Sequence, residues 1–424
     1  MRVCLISSVH PWVNPRLVKE ADLLASLGHE VSVVTKRVDG WSDERDIPLL
    51  AAKRWPAHRV NLLRHDPAGR WPWLLSAARS TAALTGYRLT GALRLAEEGY
   101  YRGFDRVLDC ALRSRAELFI AHTQGALPIA ARAARRLNAR FAFDCEDLLA
   151  EEAADGLTDP VMRQAILDIE RAYLPQASYV TATSHAMAAH LADAYAIAPH
   201  VVHNVFPLAD LDGVARPAAR MHGPLTELVW LSATVGGGRG LEDAVRALAH
   251  LPPSVRLTIV GRVLPSYGAE LTRLIGGLGV TDRVRLEPPT EAPSLVLSTV
   301  SRFDIGLALD SNDCLNRSLT ICNKVFLYLQ AGLLVAATDT PGQREVLDQV
   351  PRAGVIYAPG DADALAALLE PFVRDRMKLA AAQEAAWEAG QQRYSWDRDQ
   401  EVFLAAVGDA ARSSARTAAG AAAS

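Results

Sequence analysis

Residues 228–252 read LVWLSATVGGGRGLEDAVRALAHLP: an apolar run, then Gly236, Gly237, Gly238, Arg239 and Gly240, then apolar residues at helical spacing. Glycines between a strand and a helix let backbone N–H groups approach an anion. The helix N-terminus adds partial positive charge there, and Arg239 adds a full one. The run is neither the dinucleotide fingerprint nor the P-loop, and a glycine run serves equally well as a flexible turn. A second cation, Lys324, stands in CNKVFLYLQAG (322–332), a short apolar helix that a glycine ends. Such a lysine either runs along the core to water or points at an anion near the helix N-terminus. His122 closes the apolar stretch AELFIAH (116–122). A histidine at a strand end belongs either to a site or to a hydrogen-bonded core.

These residues are spaced by two series of alternating strands and helices. The first opens with RVCLISS and a helix over RLVKEADLLASLG, followed by HEVSVVT. Asn14 and Pro15 suit the N-cap and first position of that helix, Leu17, Ala21, Leu24 and Leu27 recur on one face, and Gly28 is placed to end it. AELFIAH, ARFAFD (139–144) and ASYVTAT (177–183) continue the series. After the polar, proline-containing stretch 215–227 it restarts with LVWLSAT, VRLTIVG, RVRLEP, FDIGLAL, LLVAATD and GVIYAP. A strand, a one-sided helix and a further strand make a parallel unit. The reading is therefore two tandem doubly wound α/β domains, Rossmann-like, with ligands at the strand C-termini in a cleft between them. The expected divisions are 1–210, 211–395, a terminal helix at 396–410 that crosses back, and a disordered Ala/Ser-rich tail at 411–424.

The totals limit the function classes. A chain of 424 residues is too long for one core. A net charge of −3 gives no support to nucleic-acid binding. Five scattered cysteines without C-x-x-C spacing fit a reducing cytosol rather than a zinc site or disulfide framework. No signal peptide and no membrane-spanning run is expected. Residues 53–115 hold 12 Lys/Arg against 5 Asp/Glu, interspersed with tryptophans and tyrosines. Within them 68–96 reads either as a basic amphipathic helix pair at an anionic inner membrane surface or as a solvated face packed on the first domain.

The order of these segments resembles the GT-B glycosyltransferases, specifically glycosyltransferase family 4. SATVGGGRGLEDAVRAL is similar to that family's phosphate loop, and NPRLVKEADLLASLGHEVSVVT to its opening helix and strand. AHTQGALPIAARAARRLNARFAFDCEDL resembles the segment that ends in its acceptor-side motif. ASYVTATSHAMAAHLADAYAIAPHVVHNVFP, with Asn204, looks like the end of the first domain. NKVFLYLQAGLLVAATDTPGQREVL resembles the "NK…YL.AG" block, and RYSWDRDQEVF the terminal helix.

The resemblance implies a retaining transfer of sugar from a nucleotide-sugar donor to a glycan, lipid-linked or small-molecule acceptor. It implies a transferase serving polysaccharide biosynthesis without metal or cofactor; the cysteines place it in the cytoplasm, and it is peripheral at the membrane's inner face only on the reading in which 68–96 docks there. Arg239 and Lys324 would stabilise the leaving diphosphate, and Glu146 would take the place of an acceptor-side histidine as a base. Gly236, Gly237, Gly238, Gly240, Arg317, Asn323 and Glu345 would hold the donor. His122, Asp144 and Asn14 would hold the acceptor. The plainer account of Asp144, Glu146 and Asp147 is a helix-capping cluster, and of Glu345 an ordinary helix-start acid. Asp397 and Asp399 have the D-x-D spacing of metal-dependent transferases of another fold, but at a helix start they read as structural. The chain also departs from the family. Thr234 stands where an arginine is usual, and Leu319 and Leu327 stand where a glutamate pair holds the donor ribose, with Asn316, Arg317 and Asn323 nearby to compensate. Those departures support an alternative, a non-catalytic GT-B partner or regulatory subunit. A sugar-nucleotide epimerase sharing the fold is a third reading, opposed by the "NK…YL.AG" block.

Overall fold

The computed structural model describes residues 1–152, 159–220, 223–290 and 295–422, with side chains through Arg412. It divides into two units. The first holds Met1–Thr183, Ala188–Val202 and the chain from Val402; the second holds Ser184–Met187 and His203–Glu401. The chain thus passes to the second unit at Val202/His203 and back at Glu401/Val402, where sequence reading set 210/211 and 395/396.

The first unit carries β1 (Arg2–Ser7), β2 (Glu30–Arg37), β3 (Ala57–Asn61), β4 (Leu118–His122), β5 (Arg140–Cys145), β6 (Val180–Ala182) and β7 (His200–Val201). They form one sheet in the order β3-β2-β1-β4-β5-β6-β7, and each pairing is parallel. Val3 through Ile6 and Leu118 through Ala121 are buried, the near-continuous apolar pattern of a sheet covered on both faces. The sheet grows one way from β1 and the other way from β4. The ends of these two neighbouring strands mark the crevice where such sheets bind ligands.

Helix Pro15–Ser26 starts where its sequence signals it. The Asn14 side chain accepts the Leu17 N–H at 3.0 Å, with proline at the first position. Leu17, Ala21 and Leu24 are buried, but Leu27 is exposed. It lies at the C-cap, where the backbone has already left the helix and the 3.6-residue spacing no longer applies. The basic stretch folds as helix Pro67–Thr90, ended by Gly91 in the left-handed region, and helix Leu93–Tyr100. Its inner side buries Ala83 and Tyr87, while Trp71 is 70% and Leu89 81% exposed. Among the described residues no helix is long and apolar enough to cross a membrane.

The second unit carries β8 (Thr226–Val235), β9 (Val255–Val263), β10 (Val284–Glu287), β11 (Ile305–Ala308), β12 (Leu334–Thr338) and β13 (Gly354–Tyr357). They form a parallel sheet in the order β10-β9-β8-β11-β12-β13. Leu228, Trp230, Leu248, Leu257, Ile305 and Leu365 are among its core residues. Helix Asn323–Gln330 packs against β11 because Gly306 has no side chain: a Cβ there would lie 2.1 Å from the Tyr328 ring. The Tyr328 hydroxyl in turn accepts the Leu231 N–H at 3.2 Å. This seat fixes where Lys324, one turn earlier, emerges.

Helix Trp396–Ala422 begins in the second unit and belongs to the first from Val402. The backbone is helical as far as Ala422, and most of the tail expected to be disordered falls outside the described side chains.

Candidate functional site

In the second unit the strands that meet at the switch point are β8 and β11. Gly236–Gly240 follow β8 and lead into helix Leu241–His250, so the loop and a helix N-terminus lie where the fold binds ligands. The loop presses close to the chain leaving β11. Gly240 has φ +65°, and a Cβ on it would lie 2.8 Å from Leu309 Cβ. Gly238 has φ +72° and lies against Arg317. Arg317 Nη1 donates to the Gly238 carbonyl and, at 2.6 Å, to Ser311 Oγ; Ser311 Oγ also donates to that carbonyl. Arg317 therefore braces the glycine loop from beneath.

Arg239 is exposed, and its Nη1 donates to Ser232 Oγ at 2.9 Å. Lys324 Nζ stands 5.2 Å from the centre of the Trp230 ring, on the strand that feeds the loop. Asp310 joins these cations. Burial raises its carboxyl pKa, and Lys324, Arg317 and Arg239 all act against that rise. Arg317 Nε lies 3.8 Å from Asp310 Oδ1. Three cations thus surround Asp310 beside a helix N-terminus, with Asp313 3.3 Å from Arg317, a grouping that suits an anion such as a diphosphate. Asp310 was missed by sequence reading, although an acid directly after the apolar run FDIGLAL was a usable signal. Arg262 was missed too: it stands in register with Thr234, where the resemblance leaves a cation missing.

In this unit Leu327 and Glu345 are both taken up by the protein itself. Leu327 is 2% exposed, packed among Val325, Phe326 and Tyr328, so it offers no apolar surface to a donor. Leu319 is half-buried, and its carbonyl accepts from Ser184 Oγ at 2.5 Å. Asn323 is exposed at the helix start, whereas Asn316 is buried. Glu345 is engaged elsewhere: it accepts the N–H groups of His185 and Ala186 and lies 2.7 Å from His185 Nδ1. Burial alone would raise its pKa, but His203 and these donors hold it down at about 2. Asp397 accepts the Leu208 N–H at 2.8 Å, and Asp399 accepts from the backbone and Nδ1 of His203. Both acids are spent on structure.

In the first unit the strand ends β1, β4 and β5 gather a buried charge cluster. Register pairs Ser7 with His122 and His122 with Asp144. His122 is fully buried, with Nε2 3.1 Å from Glu20 and Nδ1 3.2 Å from Asp144 and 3.6 Å from Glu146. Burial opposes its protonation, but Glu20, Asp144 and Glu146 outweigh that and push its pKa well up. Arg16 donates to Asp144 at 2.7 Å and to the Val202 carbonyl at 2.5 Å, and Thr181 donates to the other Asp144 oxygen. Despite burial, Asp144 is held far below the usual carboxylate range, chiefly by Arg16. Asp144, expected at the acceptor, is thus occupied within the core, and His122 has no exposed edge. Asn14 is likewise buried as the cap of its helix. Glu146 is the cluster's partly exposed member, 18% accessible at the side chain. Arg16 and Glu20, an i, i+4 pair, were missed because spacing does not separate a buried charged pair from a surface one.

At the same sheet edge the Ser8 and Thr123 hydroxyls are hydrogen-bonded. Thr123 has φ +71°, an unusual conformation for a β-branched residue and one that recurs at functional positions. Lys36, near the end of β2, stands 4.0 Å from the centre of the Tyr101 ring. Burial, with Arg102 adding to it, lowers its pKa to about 8.

Among the described residues, three groups bring metal-ligating atoms within 4.8 Å of one another: His185, His203 and Glu345; His10, Asp43 and Asp46; and Glu20, His122 and Asp144. In the last, Arg16 already pairs with Asp144. In the second, Arg59 pairs with both aspartates, and His10 Nε2 accepts the Val38 N–H at 3.1 Å.

Residues 13–209 match the family model described as a glycosyl transferase 4-like domain. A D-inositol 3-phosphate glycosyltransferase of Xylanimonas cellulosilytica is 33% identical over 223 residues, which are 48% of this chain and 50% of that protein. The match therefore spans about half the length of the curated relative. Among solved structures, Anabaena HepE in complex with UDP aligns with a TM-score of 0.68 and 18% identity over 96% of this chain and 100% of the other. Sucrose-phosphate synthase from Thermosynechococcus elongatus aligns with a TM-score of 0.65 and 16% identity over the whole of both chains. At such identities the likeness speaks to fold. The chain has the GT-B fold, and its residues 13–209 match a glycosyl transferase 4-like domain.

Proposed function

We propose that this protein is a glycosyltransferase that moves a sugar from a nucleotide-sugar donor to a glycan, lipid-linked or small-molecule acceptor, with retention at the anomeric carbon. The observation that carries the reading is the gathering of Arg239, Arg317 and Lys324 on Asp310 beside the Gly236–Gly240 loop. As the sugar–phosphate bond breaks, negative charge grows on the departing diphosphate. Fixed cations and a helix N-terminus stabilise that charge without reorganising, so the transfer needs no metal at the diphosphate. HepE in complex with UDP-glucose supports a sugar nucleotide as the ligand class. The inositol phosphate transferase supports a small hydroxylated acceptor. Acceptor binding falls to the first unit, with Glu146 as base, or as acceptor of a substrate hydroxyl, at the rim of the His122 cluster.

A cytoplasmic protein that docks on the inner membrane face is part of the same proposal. It is supported by helix Pro67–Thr90, which exposes Trp71, Leu74, Leu75 and Leu89 beside Arg70, Arg79 and Arg88. One observation favours the second reading, a non-catalytic partner. Leu327 is sealed in the core where the resemblance places a ribose-binding carboxylate.

Thermal-shift measurements with UDP, GDP, ADP, dTDP and CMP, alone and as sugar conjugates, decide between them. Stabilisation of the wild type that Arg239→Ala abolishes is expected. If no nucleotide stabilises the wild type, the donor site is refuted. A nucleotide that binds while its sugar conjugate is neither hydrolysed nor transferred would favour the non-catalytic reading.

A further inference from the structure

We propose that His185, His203 and Glu345 form a binding site for a divalent transition ion, best suited to Zn2+, that clamps three separate segments of the second unit. Among the three histidine–carboxylate clusters this one is different in kind. The others are already neutralised by arginines, Arg16 in one and Arg37 and Arg59 in the other. Here the described ion-pair partners of Glu345 are the two histidines.

The distances suit a metal. Glu345 Oε1 lies 2.7 Å from His185 Nδ1 and 3.8 Å from His203 Nε2. Tetrahedral zinc, with bonds of about 2.0–2.1 Å, holds its ligand atoms about 3.3 Å apart, a value that the two observed separations bracket. Small side-chain rotations would therefore admit the ion without moving the backbone.

The outer partners are also in place. His203 Nδ1 donates to Asp399 Oδ2 at 2.9 Å, so Nε2 is the ring atom that faces Glu345 and the one an ion would take in place of its proton. Carboxylate–histidine–metal arrangements fix tautomer and ring orientation in this way. Phe326 and Tyr394 pack on the His203 ring with centroids 5.3 Å and 5.9 Å away and prevent it from turning. Glu345 Oε2 accepts the backbone N–H groups of His185 at 2.8 Å and Ala186 at 3.2 Å, so its direction is set as well. The third ligand, His185, is 72% exposed at its side chain, giving the ion a way in and leaving solvent the fourth position.

Two imidazoles and one carboxylate form a zinc-type donor set. Calcium and magnesium prefer oxygen ligands throughout. The ion would tie the start of helix His185–Tyr195 and the chain entry at His203 to helix Pro341–Leu347. Its role is structural, independent of the proposed transfer, so the test does not depend on activity.

The test uses full-length protein stripped of metal with a chelator, titrated with ZnCl2 by calorimetry near neutral pH and with Co2+ by visible absorption. One Zn2+ per chain and the d–d bands of tetrahedral Co2+ are expected, together with a Zn2+-dependent rise in melting temperature. His185→Ala removes an exposed side chain and leaves the fold, and Glu345→Gln keeps acceptors for the backbone N–H groups. Each should weaken Zn2+ at least about tenfold and remove the thermal response. Absence of stoichiometric binding to the wild type, or wild-type affinity in either variant, overturns the proposal.

Discussion

Gly240→Ala separates the two meanings of the glycine loop, a turn or an anion cradle. At φ +65° an alanine is strained by about 1–2 kcal/mol. Its Cβ would also lie 2.8 Å from Leu309 Cβ, an atom one bond from the backbone and unable to swing aside. Overpacking of that kind costs about 1–3 kcal/mol, so a total loss of about 2–5 kcal/mol in the stability of the second unit is expected. The loop can relieve the clash only by drawing away from the chain after β11, and that chain carries Asp310 and Arg317. A diphosphate held by the loop and by Arg317 together then loses one side of its site. Gly237→Ala is the control: the nearest atoms to its added Cβ are Tyr267 ring carbons at 3.8 Å, so stability should change by less than about 0.5 kcal/mol.

Urea unfolding followed by Trp fluorescence reads the stability, and calorimetric titration with UDP at a temperature where each variant is folded reads the binding. Gly240→Ala should lose at least tenfold in affinity, or about 1.4 kcal/mol, beyond any loss through partial unfolding. A Gly240→Ala protein that is destabilised as calculated yet binds UDP like the wild type would falsify the cradle and leave the glycines as a turn.

Other outcomes follow from single residues. Arg16→Met should destabilise the first unit by about 3–5 kcal/mol in urea, because it leaves Asp144 and Glu20 buried with only His122 as cation; a loss under about 1 kcal/mol would mean that the cluster is not held by charge. Lys36, with its pKa lowered to about 8, disfavours the folded state while it is charged. Wild-type stability should therefore rise as pH goes from about 8 toward the unfolded value of about 10.4, and Lys36→Met should lack that rise; parallel pH profiles would contradict the assignment. Trp71→Glu with Leu75→Glu should reduce flotation with anionic vesicles, and equal flotation would remove the membrane reading. Leu327→Glu should destabilise by about 3 kcal/mol or more, since it places a carboxylate in a sealed position; improved nucleotide affinity at unchanged stability would show that the position opens to the donor.

Residue type and order made the architecture legible. The predicted strands appear, the Asn14 cap and Pro15 start the first helix, and the glycine run lies between β8 and its helix. Periodicity and capping act within a few residues, so a local reading captures them. The partners of charged side chains were not legible, because they are chosen by strands and helices far apart in sequence. Asp144 meets Arg16 across 128 positions, and Glu345 meets His185 across 160. Each acid was legible as a candidate for substrate, but none showed which cation the fold had already assigned to it. Leu327 errs in the opposite direction. Its place in the "NK…YL.AG" block put it where a donor-holding glutamate is usual, yet the close seat of Tyr328 on Gly306 draws the helix into the sheet and closes that face. Whatever holds a donor ribose here must then come from outside that face. On the proposed reading Asp310, two residues past the end of β11 and facing three cations, is the carboxylate left for that role. A sequence motif locates the helix, but packing decides which of its residues a ligand can meet.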